Sequence, residues 1–536
     1  MVNDGRTFAM SCGKADALLF GLYLCLCAAC FFPRTAGFSD EWLLPKWYFA
    51  LAVTAVLAMA EGYLFYIKGS NGQAEYRKGY SEVPRGRLFS IALSIVATLE
   101  SLYALGLFFL QGDAGGIGAM GTFDNPAGLA LCLCLSLPFM YHFARHSRSG
   151  TLQLAAYAAM CLAVATVCLS RSRTGILCLA AFLCVILFVR LKVRWWLKAA
   201  CVVAVCLGAA VFAMTRKADS SSGRRFILER SWELIVQKPW TGHGRGGFER
   251  EYMQTQGQYF ARHPESGYAW LADEVRHPLN EFVLAWVDYG VAAPCLLALC
   301  FAVAVYRLGR RKESFSPTLA CSLSALFVFA CFSYPSKYPL AWLVAALALV
   351  CLALRHLPVE MRGNFQRVFP VALWVGAAAL LVGLGMEYHY ERTWSRAARR
   401  CLYGHSERMM PVYARLHRHY ARNPYFLYNY AAEQFYAGRF APALTTAKEC
   451  RAYWSSYNLE LLTGDICRHL GRHEEAIAHY RQAGHMCPVR FAPLEGLYHA
   501  YKASGQADKA DSISAVIRRK KAKVLSPEVA RIKKNF

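Results

Sequence analysis

Four arginines stand in polar stretches of a chain that is otherwise mostly apolar. Arg171 and Arg173 lie in one short turn between two apolar segments, whereas Arg224 and Arg245 lie in a longer polar stretch. A guanidinium group keeps its charge and offers two parallel N–H donors to one anion. Arginine at a membrane boundary often extends its head group to water without binding a ligand. Two arginines with no acidic partner in the same turn favour instead a site for an anion such as a diphosphate.

A second group of polar residues could move a proton. His277, Asn280 and Glu281 lie together in the sequence H-P-L-N-E, at the entry to an apolar segment. Histidine and glutamate are common general acids and bases, because their environment can bring their pKa values close to the working pH. A lone histidine near a membrane interface is more often structural. Its neighbours Asn280 and Glu281, beside an arginine-rich stretch, favour a role in catalysis.

The stretch from Gly223 to Gly290 must position most of these residues. It is the longest polar interval between two apolar segments in the first 390 residues. Apolar residues at helical spacing predict an amphipathic helix over residues 225–238, ended by Lys238 and Pro239. The following run G-H-G-R-G-G-F lacks the preceding strand and the Lys-Ser/Thr pair of a nucleotide-binding loop. We therefore expect this stretch to cover an active site at a membrane surface.

The composition indicates a polytopic membrane protein. The chain has 536 residues, of which 56% are hydrophobic, and its mean hydropathy is +0.24. The apolar residues come in blocks of about 20, the length at which a helix crosses the hydrocarbon core. We predict an all-α membrane helix bundle with eleven spans, at residues 15–33, 47–67, 88–110, 127–144, 151–169, 174–190, 197–214, 281–306, 317–333, 339–354 and 369–386.

The charges of the loops predict the orientation of these spans. Lys and Arg are concentrated in five loops, which share the cytoplasmic side if the N-terminus is cytoplasmic. The opposite side then receives residues 112–125, the turn at 170–175, the loop at 215–279, residues 333–339 and the C-terminus. The predicted domains are residues 1–214 with seven spans, 215–280 as a large external loop, 281–387 with four spans, and 388–536.

Net charge and cysteine usage exclude several other classes of protein. The net charge is +25, but it is distributed as the orientation rule requires and does not indicate binding of nucleic acid. Most of the 21 cysteines lie inside apolar blocks, where cysteine acts as a small apolar residue. Their spacings suggest neither a disulfide framework nor a zinc site. We expect no metal ion and no cofactor.

The C-terminal region has a period of its own. Glycines recur at spacings of 33 and 34 residues, and each is followed five residues later by alanine. This pattern resembles tetratricopeptide repeats, which are helix pairs whose small residues let the helices approach closely. Three such repeats can bury a shared core. They would serve as a packing module or as a platform for an acceptor or a partner.

The order of four motifs resembles a known family. The motifs are G-T-F-x-N-P at 121–126, S-R-S-R-T-G at 170–175, S-G-R at 222–224 with its downstream glycine run, and H-P-L-N-E at 277–281. A glycine ten residues past Asn280 and the S-Y-P turn at 333–335 fit the same pattern. Over residues 90–355 the chain is similar to the superfamily of O-antigen ligases, O-antigen polymerases and bacterial O-oligosaccharyltransferases. Some members carry C-terminal tetratricopeptide-like repeats.

The resemblance implies a reaction and a compartment. It implies a glycosyltransferase with a membrane fold of the GT-C type, which transfers a glycan from an undecaprenyl diphosphate carrier without a metal ion. The reaction would take place at the periplasmic face of the bacterial inner membrane, with the helical repeats in the periplasm. An O-antigen ligase would use lipid A-core as its acceptor. The protein would contact membrane lipids and no nucleic acid.

The resemblance also implies roles for individual residues. The arginines that bind the diphosphate would be Arg171, Arg173, Arg224 and Arg245. Arg224 would in addition act in catalysis, because the departing diphosphate develops negative charge that arginines can stabilise. Asn125 and Asn280 would support the site. A general base would remove the proton from the acceptor hydroxyl.

The chain departs from the ligase pattern at this base. The pattern places a histidine immediately before the asparagine, and this chain has Leu279 there. His277 lies two residues earlier and would reach the site from the turn that enters the helix. Glu281 is the second candidate, so the sequence leaves both open as the catalytic base.

Other functions fit part of the pattern. Polymerisation of glycan repeat units and transfer to protein share the same motifs, so the acceptor could also be a growing glycan or a protein. A transporter of lipid-linked glycans would place charges near the bilayer midplane and show inverted repeats, and the sequence shows neither. A scaffold built on the repeats would leave the arginines and His277 without a role.

Overall fold

The protein is all-α. Its structure is a computed structural model that describes residues 3–70, 82–111, 118–190, 197, 218–311, 315–353 and 361–536. These residues form α-helices and short 3-10 turns, with no strand among them. The predicted fold class, an all-α polytopic membrane protein, is confirmed.

The helices follow one another as the sequence blocks predict. Within the described ranges they are α1 Asn3–Phe31, α2 Leu44–Ser70, α3 Glu82–Gln111, α4 Pro126–His146, α5 Gly150–Leu169, α6 Arg173–Arg190, α7 Ala218–Gln237, α8 Gly247–Arg262, α9 Glu281–Tyr289, α10 Ala292–Gly309, α11 Phe315–Phe332, α12 Pro339–Ala353, α13 Met361–Leu402, α14 Ser406–Tyr420, α15 Pro424–Tyr436, α16 Phe440–Arg451, α17 Tyr457–His469, α18 His473–Met486, α19 Ala492–Ala503, α20 Ala507–Arg519 and α21 Pro527–Asn535.

Seven of the described helices are long and apolar enough to cross a membrane, namely α2, α3, α4, α5, α10, α11 and α13. Helices α1, α6 and α12 contain shorter apolar segments. Ten of the eleven predicted spans overlap these helices. The other predicted span, 197–214, lies outside the described residues except for residue 197.

Two predicted spans differ in their bounds from the helices that contain them. The span predicted at 281–306 is divided into α9 and α10, because the backbone turns at Gly290 as described below. The span predicted at 369–386 lies within α13, which has 42 residues. No glycine or proline interrupts the chain between Met386 and Leu402, and Trp394 and Cys401 are buried there. The predicted domain boundary at 387/388 therefore falls inside α13.

The chain divides into two compact units. The first contains Met1–Ala213 and Leu297–Arg392, and the second contains Met214–Leu296 and Thr393–Phe536. Helix α4 is the centre of the first unit, where α3, α5, α6 and α11 pack around it. Its residues 128–137 are all buried, as expected for a helix that is apolar on every side.

The C-terminal part of the second unit consists of helix pairs. Gly438, Gly471 and Gly505 lie at the turns within the pairs α15–α16, α17–α18 and α19–α20, with φ of 73°, 75° and 74°. The alanine five residues after each glycine is buried. The period seen in the sequence therefore corresponds to helix pairs, whereas their identity as tetratricopeptide repeats stays a prediction.

Candidate active site

Helix α7 carries Arg224 in the second unit. The helix predicted over residues 225–238 is confirmed and begins earlier, at Ala218. Phe226, Leu234 and Ile235 are buried. Trp232, on another face of the helix, is 55% exposed. The helix is amphipathic, and its exposed face also carries apolar side chains.

The glycine run after α7 is folded against α9. The φ angles are 67°, 85° and 71° at Gly242, Gly244 and Gly246, a region that glycine occupies without steric cost. The N–H of His243 donates to the carbonyl of Val287 at 2.8 Å, and the N–H of Gly244 donates to the carbonyl of Asp288 at 2.8 Å. These left-handed glycines let the run follow α9 closely.

Asp288 occupies the N-terminus of α8, where an anion could otherwise bind. Its carboxylate accepts the N–H groups of Gly246 and Phe248, each at 3.0 Å. Burial raises the pKa of Asp288, and the two backbone donors partly oppose that shift. The sequence analysis missed this residue, whose signal was a lone carboxylate in an apolar segment. Asp288 explains the glycine run without a bound phosphate.

Gly290 ends α9 and explains the divided span. Its φ is 79°, and an added Cβ would lie 1.9 Å from the carbonyl oxygen of Trp240. The N–H of the following residue, Val291, donates to the carbonyl of Pro239 at 3.0 Å. The two chain segments therefore cross in backbone contact at the start of α10.

Replacing Gly290 with alanine should destabilise the protein more than replacing Gly244. Both glycines have positive φ, but Gly290 also has a ψ of 178°, a combination that essentially only glycine adopts, and nothing lies within 4 Å of the position of a Cβ at Gly244. We expect the melting temperature of the purified Gly290→Ala variant to be several degrees below that of Gly244→Ala. Equal melting temperatures would contradict the backbone contact at Trp240.

The two candidate base residues lie in one turn before α9. Nδ1 of His277 accepts the N–H of Leu279 at 2.9 Å. Nε2 of the same ring lies 3.7 Å from Oε2 of Glu281. Only 9% of the His277 side chain and 13% of the Glu281 side chain are exposed. The structure thus brings together the histidine and the carboxylate that the sequence left as alternatives.

Asn280 and a strained residue fix the shape of this turn. Oδ1 of Asn280 accepts the N–H groups of Phe282 and Val283 at 2.9 and 3.0 Å, which caps the start of α9. Leu279 has a φ of 59° and Arg171 one of 55°, and they are the two non-glycine residues with positive φ in the described ranges. Such strain persists only where the surroundings impose it, and it clusters at functional sites.

The arginines of the second unit differ in their surroundings. Arg224 is half-buried in the first half of α7, and Arg245 is exposed in the glycine run. The neighbouring Arg225 is exposed and pairs with Glu229 at 2.8 Å. The second unit therefore contains Arg224 and Arg245 together with the turn at residues 277–281.

The other two arginines share a turn in the first unit. Arg171 is exposed, and Arg173 is half-buried as the first residue of α6. The hydroxyl of Ser172 accepts the N–H of Gly175 at 3.2 Å, which caps this helix. The hydroxyl of Ser170 donates to the carbonyl of Val167 at 2.7 Å. The buried serines hold the turn from which both arginines extend.

Asn125 joins two of the predicted turns. Its Oδ1 accepts the N–H of Gly128 at 2.8 Å and caps α4. Its Nδ2 donates to the hydroxyls of Tyr334 and Tyr338 at 3.0 and 2.8 Å. The motif at 121–126 therefore meets the S-Y-P turn at 333–335. The N–H of Ala119 also donates to the carbonyl of Leu169 at 3.1 Å, beside the arginine turn.

Two buried charged residues make hydrogen bonds to Thr122 in the 121–126 turn, and the sequence analysis identified neither of them. The Lys46 ammonium group donates to the carbonyls of Pro33 and Thr122 at 3.1 and 3.0 Å. Glu100 accepts the N–H of Thr122 at 2.8 Å and its hydroxyl at 3.0 Å. A charged residue in an apolar block is the sequence signal that would have found them.

Comparison with known families identifies the segment that contains most of these residues. Residues 157–298 match the family model described as O-antigen ligase. This segment belongs to the O-antigen ligase superfamily. No curated protein and no solved structure matches the chain. The family predicted from the motifs is confirmed.

The O-antigen ligase segment contains the turn at 170–175, helix α7 with Arg224, the glycine run and the turn at 277–281. It supports a glycosyltransferase of the ligase or polymerase type, with a lipid-linked glycan and an acceptor as substrates in general. In the part of the chain that the structure describes, no group of three or more His, Cys, Asp or Glu residues could hold a metal ion.

Proposed function

We propose that this protein transfers a glycan from an undecaprenyl diphosphate carrier to an acceptor hydroxyl at the periplasmic face of the inner membrane. Lipid A-core, the acceptor of an O-antigen ligase, is the acceptor we propose first. The observation that carries the proposal is the strained, buried turn with His277 beside Glu281. It lies in the segment that matches the ligase family.

The geometry of the turn favours Glu281 as the general base. His277 accepts the Leu279 N–H at Nδ1, so a neutral ring carries its proton on Nε2. That nitrogen faces Glu281 at 3.7 Å. His277 is therefore placed to orient the carboxylate and to interact with it through Nε2. Glu281 then removes the proton of the acceptor hydroxyl as the sugar–phosphate bond breaks.

The arginines stabilise the diphosphate that leaves. As the bond between the sugar and the diphosphate breaks, negative charge develops on phosphate oxygens. Arg173 and Arg224 bind this group, and Arg171 and Arg245 assist. A planar guanidinium suits the task because it binds phosphate through two parallel hydrogen bonds. The reaction needs no metal ion in this scheme.

An exposed apolar row that begins on α7 supports a position of Arg224 at the depth of lipid head groups. Three apolar residues of α7 follow Arg224 at steps of four and are exposed by 42%, 55% and 60%, namely Leu228, Trp232 and Val236. Trp240, just after the helix, is 77% exposed. Residues four apart lie on the same side of a helix. Tryptophan is enriched at membrane–water interfaces. We infer that this face of α7 lies on the bilayer surface.

The contact with α10 supports that position. The carbonyl of Pro239, just after α7, accepts the N–H of Val291 at 3.0 Å. Helix α10 begins at the next residue and is apolar enough to span the membrane. The end of α7 therefore contacts the residue directly before α10, which supports a position of this face near the bilayer surface. A carrier diphosphate is expected at the same level, since its lipid chain is embedded in the hydrocarbon core.

Placing a carboxylate on this row should weaken use of the lipid-linked donor. We expect Trp232→Glu to raise KM for the donor about tenfold, which corresponds to roughly 1.4 kcal/mol of lost binding, with a smaller change in kcat. Trp270→Glu is the matched control, because Trp270 is 46% exposed on a separate 3-10 turn of the same unit. Equal effects of the two substitutions would argue against a bilayer-facing α7.

The surface glycans of a strain that lacks the gene, compared with those of its parent strain, would identify the acceptor. Accumulation of unligated polymer on the carrier is the result expected for a ligase. Accumulation of single repeat units would indicate a polymerase instead. Loss of glycoproteins alone would indicate transfer to protein. Unchanged glycans of all three kinds would overturn the proposed function.

A further inference from the structure

The four residues that precede His277 are held by the C-terminal helices. Asp273 accepts two hydrogen bonds from the guanidinium of Arg490, at 2.7 and 3.0 Å. The carboxylate of Glu274 accepts the hydroxyl of Ser456 at 2.7 Å and the side-chain amide of Asn458 at 3.2 Å. These partners lie before α19 and at the start of α17.

The next two residues are held by packing. The N–H of Val275 approaches the sulfur of Met253 at 3.4 Å, and the Val275 side chain packs on a core to which α17 and α18 contribute. The guanidinium of Arg276 lies 5.2 Å from the ring centroid of Tyr425 and 5.1 Å from that of Trp454. The electrostatic attraction between a guanidinium and the faces of these rings stabilises the position of Arg276.

A buried glutamine ties the same segment to the end of α18. The side-chain amide of Gln256 donates to the carbonyl of Asp273 at 3.0 Å and to the carbonyl of Met486 at 2.7 Å. Gln256 is fully buried, and loss of such a donor would leave buried carbonyls unsatisfied. Segment 273–276 is thus bound along its whole length.

We propose that the C-terminal helices act as a clamp that positions the His277–Glu281 pair. The clamp ends at Arg276, and His277 is the next residue. Between the two residues of the pair, Asn280 fixes the start of α9. Leu279, which lies between Arg276 and Asn280, is held at a φ of 59°, a conformation that is unfavourable for a residue with a side chain. The clamp and Asn280 are both needed to keep this conformation, because a free segment would relax to negative φ.

In this proposal the C-terminal helices position the His277–Glu281 pair and do not serve as a platform for an acceptor. Their side chains bind a segment of the same chain and so become part of the catalytic unit. Asp273, Glu274 and Arg276 are positioning residues, since they act through His277 and Glu281. The kinetic consequence rests on the proposed glycosyl transfer, whereas the structural consequence does not.

The test is a charge reversal in full-length protein purified in detergent. In Asp273→Arg the new side chain carries the same positive charge as Arg490, and the two side chains repel each other. We expect faster amide exchange at Leu279, Phe282 and Val283, and a kcat for transfer from a lipid-linked donor about tenfold lower with KM for that donor unchanged. The double variant Asp273→Arg/Arg490→Asp restores the pair and should return both values to within twofold of wild type.

Glu495→Arg is the matched control. Glu495 on α19 makes a similar two-bond pair with Arg531 on α21, at 2.8 and 2.8 Å, and neither residue contacts segment 273–276 in the pairs described above. We expect wild-type exchange and kcat. Amide exchange at the wild-type rate in Asp273→Arg would overturn the clamp. Equal effects of Glu495→Arg and Asp273→Arg would also overturn it. So would a folded double variant whose amide exchange and kcat do not return to the wild-type values. Absence of transfer by the wild-type protein would overturn the proposed function, and exchange would still decide the clamp.

Discussion

Replacing Glu281 with glutamine should lower the rate of glycan transfer by about 10²- to 10⁴-fold, the range expected for loss of a positioned general base. Glutamine keeps the size of the side chain and removes its ability to accept a proton. Because Glu281 follows the Asn280 cap and is largely buried, the isosteric change should leave the turn intact. The measurement is single-turnover transfer from a lipid-linked donor by protein of wild-type melting temperature.

The transfer rate of a His277 variant is the comparison for the rate of Glu281→Gln. If Glu281 is the base and His277 orients it, His277→Gln should reduce transfer less than Glu281→Gln. Glutamine can still accept the N–H of Leu279 through its side-chain oxygen, so the turn should persist. A larger loss in His277→Gln would assign the base to the histidine. Full activity in both variants would exclude both residues as the base.

The local features of this protein were predictable from the sequence. Apolar blocks of spanning length gave helices close to those found, and the spacing in residues 225–238 indicated α7. The order of short motifs indicated the family that residues 157–298 match. Asn125 and Asn280 were expected to support the site, and each caps a helix through its side-chain oxygen, because asparagine before a helix supplies the missing acceptor for its first N–H groups.

Features that depend on contacts between distant residues were not predictable. Gly290 interrupts an apolar run because Trp240, fifty residues earlier, lies against it. Asp288 appears in the sequence as one carboxylate in an apolar helix, and only the fold shows that it accepts the N–H groups of the glycine run. Hydropathy could not detect either contact, since it averages over neighbours in sequence.

The grouping of the polar loop with the C-terminal helices has the same cause. Residues 215–280 and 388–536 were expected to be separate domains, as their separation by apolar segments suggests. The second unit contains nearly all of both. The contacts that join them, such as Asp273 with Arg490, link residues 217 positions apart. No periodicity or composition in either segment indicates such a pair.

Replacing Arg173 or Arg224 with alanine should reduce transfer by about 10²- to 10³-fold without lowering the amount of protein in the membrane. This is the loss expected when one group that stabilises developing charge is removed. Arg225→Ala is the matched control, since Arg225 is adjacent to Arg224 but is exposed and paired with Glu229. We expect it to transfer at the wild-type rate.

Lysine at the same positions separates charge from geometry. Arg224→Lys keeps the positive charge but loses the planar pair of donors that binds one phosphate group through two bonds, so we expect a rate between those of alanine and wild type. Transfer should also continue in a chelator, because the scheme assigns charge stabilisation to arginine alone. Wild-type rates in Arg173→Ala and Arg224→Ala, or loss of transfer on chelation, would show that other groups stabilise the diphosphate.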